Sequence, residues 1–312
     1  MRARFLLRTS RHFFSDLNIR IKNLRELTGA PLMKCKEALQ TTESIEGALD
    51  YLKQKNLIFA EKKANNDARE GVFNIKVTDR HIQVIQVNSE TDFVSRNDDF
   101  LSFVDKVSDL FSIQPLNTFE EGYQKFTDDK LSSIKLEDQT LLEIQKLITA
   151  KIQEKIQISD MYYRPLKSNE LVGLYVHKNL NDNTGPSACY IIIESKAKNK
   201  ALLNDIAENL AIHAFCKKPK YITSECIPKD ELEKVKTDII QSLDDKLKAK
   251  GEEMLTKIVS GKLSKHFDED VLTKQSADFY NEELTVADYL KEMEKKLGEK
   301  IIINEYKVFN IK

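Results

Sequence analysis

Ser89-Glu90-Thr91-Asp92-Phe93-Val94-Ser95-Arg96-Asn97 sits where one periodicity gives way to another. Upstream, His81-Ile82-Gln83-Val84-Ile85-Gln86-Val87 alternates polar and apolar residues in the manner of a half-buried strand. Downstream, Phe100, Leu101, Val104 and Val107 recur at helical spacing. The pattern predicts a strand that ends in a helix beginning near Thr91, with an acid and an aromatic in its first turn. Periodicity alone reads Phe93 as a core residue in register with Phe100, Leu101 and Val104. On that reading Ser89 caps the helix and Asp92 supports its first turn.

The same logic extends outward in both directions. Val72–Val77 and Ile82–Val87 read as two strands joined by the turn Thr78-Asp79-Arg80, and Gln139–Gln153 reads as a helix through Leu142, Ile144, Leu147, Ile148 and Ile152. A second unit opens near Arg164. Leu171–His177 and Ala188–Ile193 are strand-like around the loop Asn179–Pro186, and the unbroken apolar run of the latter marks an interior strand. Ala201–Phe215 is helical, Asp230–Leu263 is a long charged helical stretch broken near Gly251, and Thr285–Leu297 carries Val286, Tyr289, Leu290 and Met293 inward before a closing strand at Ile301–Ile311. Toward the N-terminus, residues 17–56 form three short amphipathic helices. Leu17, Ile21 and Leu24 line the first, Leu32, Cys35, Ala38 and Leu39 the second, and Ile45, Ala48, Leu49 and Leu52 the third. Gly29 suits a left-handed helix end, Pro31 a helix opening and Ser44 an N-cap. Strand–strand–helix thus occurs twice behind a helical module, which is an α+β arrangement with small antiparallel sheets. The expected divisions are 1–15, a three-helix domain at 16–56, a linker at 57–70, and core subdomains at 71–163 and 164–312. Leu116–Glu137 is polar and shows no clear period.

Composition narrows the function. Among 312 residues, 32% are charged and 41% hydrophobic, with no Trp and few Gly or Pro, a balance that favours a helix-rich globular chain. No apolar run reaches the ~18 residues of a membrane-spanning helix. The formal net charge of −1 argues against a general nucleic-acid binder. Cys35, Cys189, Cys216 and Cys226 lack metal-ligand spacing and read as reduced, buried thiols. Gly261-Lys262 lacks the upstream glycine of a phosphate loop, and neither a Gly-x-Ser-x-Gly elbow nor a His-Glu-x-x-His helix is present. His12, His81, His177, His213 and His266 are scattered. The sequence therefore points to a protein that acts by binding, with no catalytic residues, cofactor or metal of its own.

Met1–Ser15 is different in kind. It holds Arg2, Arg4, Arg8 and Arg11, with no acid before Asp16. Arg4, Arg8 and Arg11 would fall on one side of a helix, the composition of a mitochondrial transit peptide. Its removal would take the formal charge from −1 to −5, because four positive and no negative charges leave.

The Thr91-Asp92-Phe93-Val94 stretch resembles the signature of the elongation factor Ts family, the nucleotide exchange factors of elongation factor Tu. Asn23–Leu39 is similar to that family's N-terminal, ubiquitin-associated-like domain, Ala150–Ile158 to its core, and Leu210–Tyr221, Val271–Gln275 and Leu284–Leu290 to its C-terminal part. The resemblance spans about residues 17–312. It implies two paired core subdomains, elongation factor Tu in its GDP-bound and nucleotide-free forms as partner, and a mitochondrial matrix setting when joined to the N-terminal composition. It further implies that Thr91, Asp92, Phe93, Val94, His213 and Met33 are partner contacts, with Asp92 and Phe93 projecting near the partner's nucleotide and magnesium. His213, on a mostly apolar helix, reads from the residues alone as a satisfied core or rim residue. Lys34 stands where the family usually carries an acid, and Phe215 and Cys216 where it carries small residues. An adaptor that uses the ubiquitin-associated-like module on some other partner is the alternative reading.

Overall fold

A computed structural model describes residues 17–42, 44–113, 119–243 and 252–311. The fold is α+β, a three-helix module followed by two antiparallel-sheet-plus-helix cores. Two compact units divide the described residues: the first comprises residues 17 to 165, Asn179–Pro186 and Ile311, and the second comprises Leu166–Lys178 and Ser187–Asn310. The arginine-rich Met1–Ser15 segment lies outside the described residues.

The first unit opens with α1 (residues 17–28), α2 (Leu32–Thr41) and α3 (Ile45–Lys63). Ile21, Leu24, Cys35, Ala38, Leu39, Ala48 and Leu52 form their core. Gly29 takes φ +65° between the first two helices, where a side chain would be strained. The Ser44 hydroxyl caps α3 by accepting the Gly47 amide. Two expectations need correction. Leu32 is 51% exposed rather than inward, because it opens its helix at the rim, beyond the reach of its neighbours. The third helix passes the domain edge expected at residue 56 and runs to Lys63, in line with reading Lys53–Glu70 as a connecting helix. Ala60 carries the buried stripe onward, and the helix packs on the core helix α6 (Leu141–Ile152).

The hairpin β1 (Glu70–Val77) and β2 (His81–Ser89) follows in full register from Glu70↔Ser89 to Val77↔Ile82. β2 is central, and its polar positions are not solvated as the alternation implied: His81, Gln83 and Asn88 are all buried. Gln83 donates to the Ser108 carbonyl at 2.6 Å, and Asn88 to the Glu70 carbonyl at 2.9 Å. The helix expected near Thr91 is two elements, a 3-10 turn at Asp92–Arg96 and then α4 (Asp98–Ser112). Within the unperiodic stretch the structure has β3 (Gly122–Lys125), α5 (Asp128–Ser133) and the start of the hairpin β4 (Lys135–Leu136) and β5 (Gln139–Thr140). After α6, β6 (Ile156–Pro165) pairs with both β2 and β3. Phe100, Phe103, Val104, Val107 and Phe111 of α4 pack with Val87, Leu141, Ile158 and Met161 in the main core.

β7 (Glu170–His177) belongs to the second unit, whereas the loop after it carries β8 (Thr184–Gly185), which completes the first unit's sheet in the order β3-β6-β2-β1-β8. β9 (Ser187–Glu194) is the buried middle strand of the second sheet, flanked by β7 and β10 (Ile302–Asn310). α7 (Lys200–Lys217) lies so close on β7 that a Cβ at Gly173 would meet the Ala207 carbonyl oxygen at 2.0 Å. Helices at Lys229–Ser242 and Glu252–His266 pack together over Ile227, Phe267 and Val271. The expected break at Gly251 lies outside the described residues. The helix Val286–Leu297 turns Val286, Tyr289, Leu290 and Met293 into the core. Cys35 and Cys189 are buried, but Cys216 and Cys226 are exposed, correcting the uniform reading of the thiols. Among the described residues, no helix is long and apolar enough to cross a membrane.

Candidate functional site

The segment from Glu90 to Asn97 is held from below at several points. As β2 ends, the Ser89 hydroxyl donates to the Thr91 carbonyl at 2.8 Å. The Thr91 amide and hydroxyl both donate to the Glu154 carboxylate at 3.0 Å. Val94, 5% exposed, plugs the 3-10 turn into the main core. The Asn97 amide then donates to the Val94 carbonyl at 2.9 Å, and its side-chain oxygen caps α4 by accepting the Asp99 and Phe100 amides at 2.9 and 3.2 Å. Asn97, not Ser89, is therefore the cap of α4. Asp92 does not reciprocate; its carbonyl accepts the Ser95 hydroxyl at 2.6 Å.

With both flanks fixed, the turn has one outward apex. Phe93 is 81% exposed and Asp92 beside it is exposed too, so the core reading of Phe93 is wrong. The helical register fails at this position because the 3-10 turn and the extended Asn97 reset its phase relative to Phe100. Isolated surface aromatics are common. This one is displayed on backbone that is already ordered, so a partner that buries it orders little beyond the ring itself, the economy of an interface anchor.

Charge below the apex is balanced. Burial works to raise the Glu90 carboxyl, but hydrogen bonds from the Lys155 amide at 2.6 Å, Lys63 Nζ at 3.0 Å and Asn66 Nδ2 at 3.0 Å outweigh it and hold the group below its ordinary value. Lys155 Nζ donates in turn to the carbonyls of Ala64 and Asn66 at 2.7 and 2.8 Å. Gln153 ends α6 in the left-handed region, φ +68°, a bend that delivers Glu154 to Thr91.

The other sequence-predicted residues divide sharply. Met33 is 68% exposed, and Leu27 and Leu32 on either side of the Thr28–Pro31 connection are exposed with it. Sequence reasoning had placed Leu32 inward and passed over Leu27; three large apolar residues around a Gly-Ala-Pro corner were the available signal. Lys34 lies over the Phe59 ring, 4.8 Å from its centroid. Thr91 spends its polar groups inward on Glu154. Val94 and His213 are buried, so neither is a surface contact in the free chain.

His213 belongs to the second unit. It is 4% exposed on α7, edge-on to Phe279 at 5.4 Å. Its Nε2 lies 2.9 Å from Gln275 Oε1, an acceptor, so Nε2 carries the hydrogen. Burial pushes its pKa down, only partly opposed by that hydrogen bond. On the same helix Ile212 is exposed and Lys217 pairs with Asp278 at 2.6 Å. Any contact made by this face falls on such neighbours, with His213 as their support.

Chemically, the Asp92–Phe93 apex offers one apolar wedge and one carboxylate. Such a pair can occupy a cleft and compete for cationic groups. The family model described as Elongation factor TS matches residues 90–311. Curated proteins named Elongation factor Ts from Rickettsia rickettsii (strain Sheila Smith) and Rickettsia africae (strain ESF-5) are each 32% identical over 300 residues, covering 94% of this chain and 91% of their own. The protein of that name from Rickettsia felis is 32% identical over 301 residues with the same coverage.

Proposed function

The chain belongs to the elongation factor Ts family, and from that premise we propose that it docks on GDP-loaded elongation factor Tu in the mitochondrial matrix and expels the nucleotide with its Asp92–Phe93 apex. A translation elongation factor of this family acts by binding and is not an enzyme. The observation that carries the proposal is the 81% exposed Phe93 beside an exposed Asp92 on an immobilised turn.

The mechanism needs only differential binding. Phe93 enters a cleft near the nucleotide, while the Asp92 carboxylate competes for the cations that hold the phosphates and magnesium. If this chain weakens nucleotide binding by some factor, nucleotide weakens the binding of this chain by the same factor. GTP then displaces the exchange factor, and the cycle closes without an acid, base or nucleophile. Leu27, Leu32 and Met33 supply a separate apolar grip that aids docking. The mitochondrial setting rests on the arginine-rich, acid-free composition of Met1–Ser15. Stopped-flow release of labelled GDP from mitochondrial elongation factor Tu tests the reading: acceleration by this chain supports it, and release at the unassisted rate refutes it.

A further inference from the structure

We propose that Glu90 and Glu154 are positioning residues for nucleotide exchange, a crossed pair of carboxylates that holds the Asp92–Phe93 apex in one orientation before the partner arrives. The inference rests on the docking role of that apex. Glu154, just past α6, reaches over to take the Thr91 amide and hydroxyl at 3.0 Å. Glu90, just before the apex, reaches back to take the Lys155 amide at 2.6 Å. Each segment thus sends its carboxylate to the backbone of the other, although they lie more than sixty residues apart in the chain. Lys63 and Asn66 join from the end of α3 through Glu90, and Lys155 Nζ returns to the carbonyls of Ala64 and Asn66.

Two features separate this arrangement from general support of the fold. The C-terminal side of the apex is already fixed by Val94 in the core and by the Asn97 cap, so the two carboxylates govern the N-terminal side alone. Partly buried carboxylates are also a poor source of net stability, because desolvation offsets much of their attraction. What they supply is direction: the amide, hydroxyl and ammonium donors around them fix the approach to Asp92 from three segments at once. If the apex were free to reorient, only a fraction of molecules would present Phe93 correctly, and apparent affinity for the partner would fall by that fraction.

The chain contains no tryptophan, so Phe93→Trp places a single indole at the apex, which can be excited at wavelengths where the tyrosines do not absorb. Its anisotropy decay is compared in the full chain alone and with Glu154→Ala, Glu154→Gln or Thr91→Val added. Thr91→Val removes one donor at nearly constant shape and carries the test should the alanine variant not fold. Exchange is measured with the same substitutions on the Phe93 background. Glu154→Ala should add nanosecond local motion to the indole and raise the half-saturating concentration for GDP release about tenfold, with the saturating rate nearly unchanged. Glu154→Gln, which keeps an acceptor oxygen, should restore most of both. A folded Glu154→Ala or Thr91→Val variant with the parent's anisotropy decay and half-saturating concentration overturns the proposal. Wild-type exchange by Phe93→Ala would instead overturn the docking role, while the anisotropy comparison still decides the clamp.

Discussion

Phe93 and Val94 are adjacent hydrophobic residues, yet truncating them should have opposite consequences. Phe93 is 81% exposed, so roughly a fifth of its surface is covered in the free chain. A phenylalanine presents about 200 Å², and at about 25 cal/mol per Å² the covered part contributes under about 1 kcal/mol. Val94 is 5% exposed and packs in the main core. Val94→Ala deletes buried methyl groups and leaves a void, which together cost about 2 kcal/mol. In a protein of this size each kcal/mol moves the melting temperature by roughly 2–4 °C. Thermal melts followed by circular dichroism should therefore show Phe93→Ala within about 3 °C of wild type and Val94→Ala lower by about 4–8 °C. GDP-release assays should reverse the order, with Phe93→Ala impaired and Val94→Ala active below its melting range. A Phe93→Ala protein that melts as early as Val94→Ala would show that the ring is packed, and the exposed apex would be wrong.

Gln153 occupies the left-handed region without being glycine. Gln153→Gly relieves that strain but also removes the hydrogen bond from Gln153 Nε2 to the Ala150 carbonyl. It should therefore be within about 1 kcal/mol of wild type in a urea titration, whereas Gln153→Val, which keeps the strain and loses the bond, should be clearly less stable; equal stability of the two variants would mean the bend is not strained. Burial lowers the pKa of both His81 and His213 from the ordinary 6.5. The unfolded chain then binds the extra protons first as pH falls, so stability should decline below about pH 6.5, by at most about 1.4 kcal/mol per pH unit for each histidine, and level off below the folded values. His213→Gln cannot take up that proton and should flatten the slope; an unchanged slope would contradict the buried, neutral imidazole. N-terminal sequencing of the organellar protein should begin between about Arg11 and Asn18 if Met1–Ser15 directs import, and an intact Met1 on the mature protein would dismiss that role.

What the sequence disclosed was whatever repeats locally. Leu24, Cys35, Ala38 and Leu52, or Val286, Tyr289 and Met293, announce buried helix faces by spacing alone, and all are buried. The run at Ala188–Ile193 likewise identified a middle strand. Contacts that join distant segments were illegible. Nothing near Thr184 reveals that it extends the sheet beside Asn74, and nothing near Glu154 reveals that it holds Thr91. Polar residues misled for the same reason: Gln83 looks solvent-facing until Ser108 arrives from elsewhere in the chain to accept its Nε2 hydrogens, whereas His213, on an apolar helix, reads by default as a core residue and is one, bonded to Gln275. Asp92 and Phe93 were found through family resemblance, against a periodicity that pointed inward. The structure explains the failure of that periodicity through the 3-10 turn and the Asn97 cap, which separate Phe93 from the α4 register.

The central claim is that Asp92 and Phe93 are the working surface of an exchange factor, and one kinetic comparison addresses it directly. Mitochondrial elongation factor Tu loaded with fluorescent GDP is mixed with excess GTP and increasing amounts of this chain, either wild type or carrying Asp92→Ala with Phe93→Ala. Circular dichroism establishes beforehand that both proteins are folded. Interface anchors cost about 2 kcal/mol or more on truncation, so GDP release at subsaturating concentration should slow by about thirtyfold or more in the double variant. A folded double variant that accelerates release as wild type does would contradict the account.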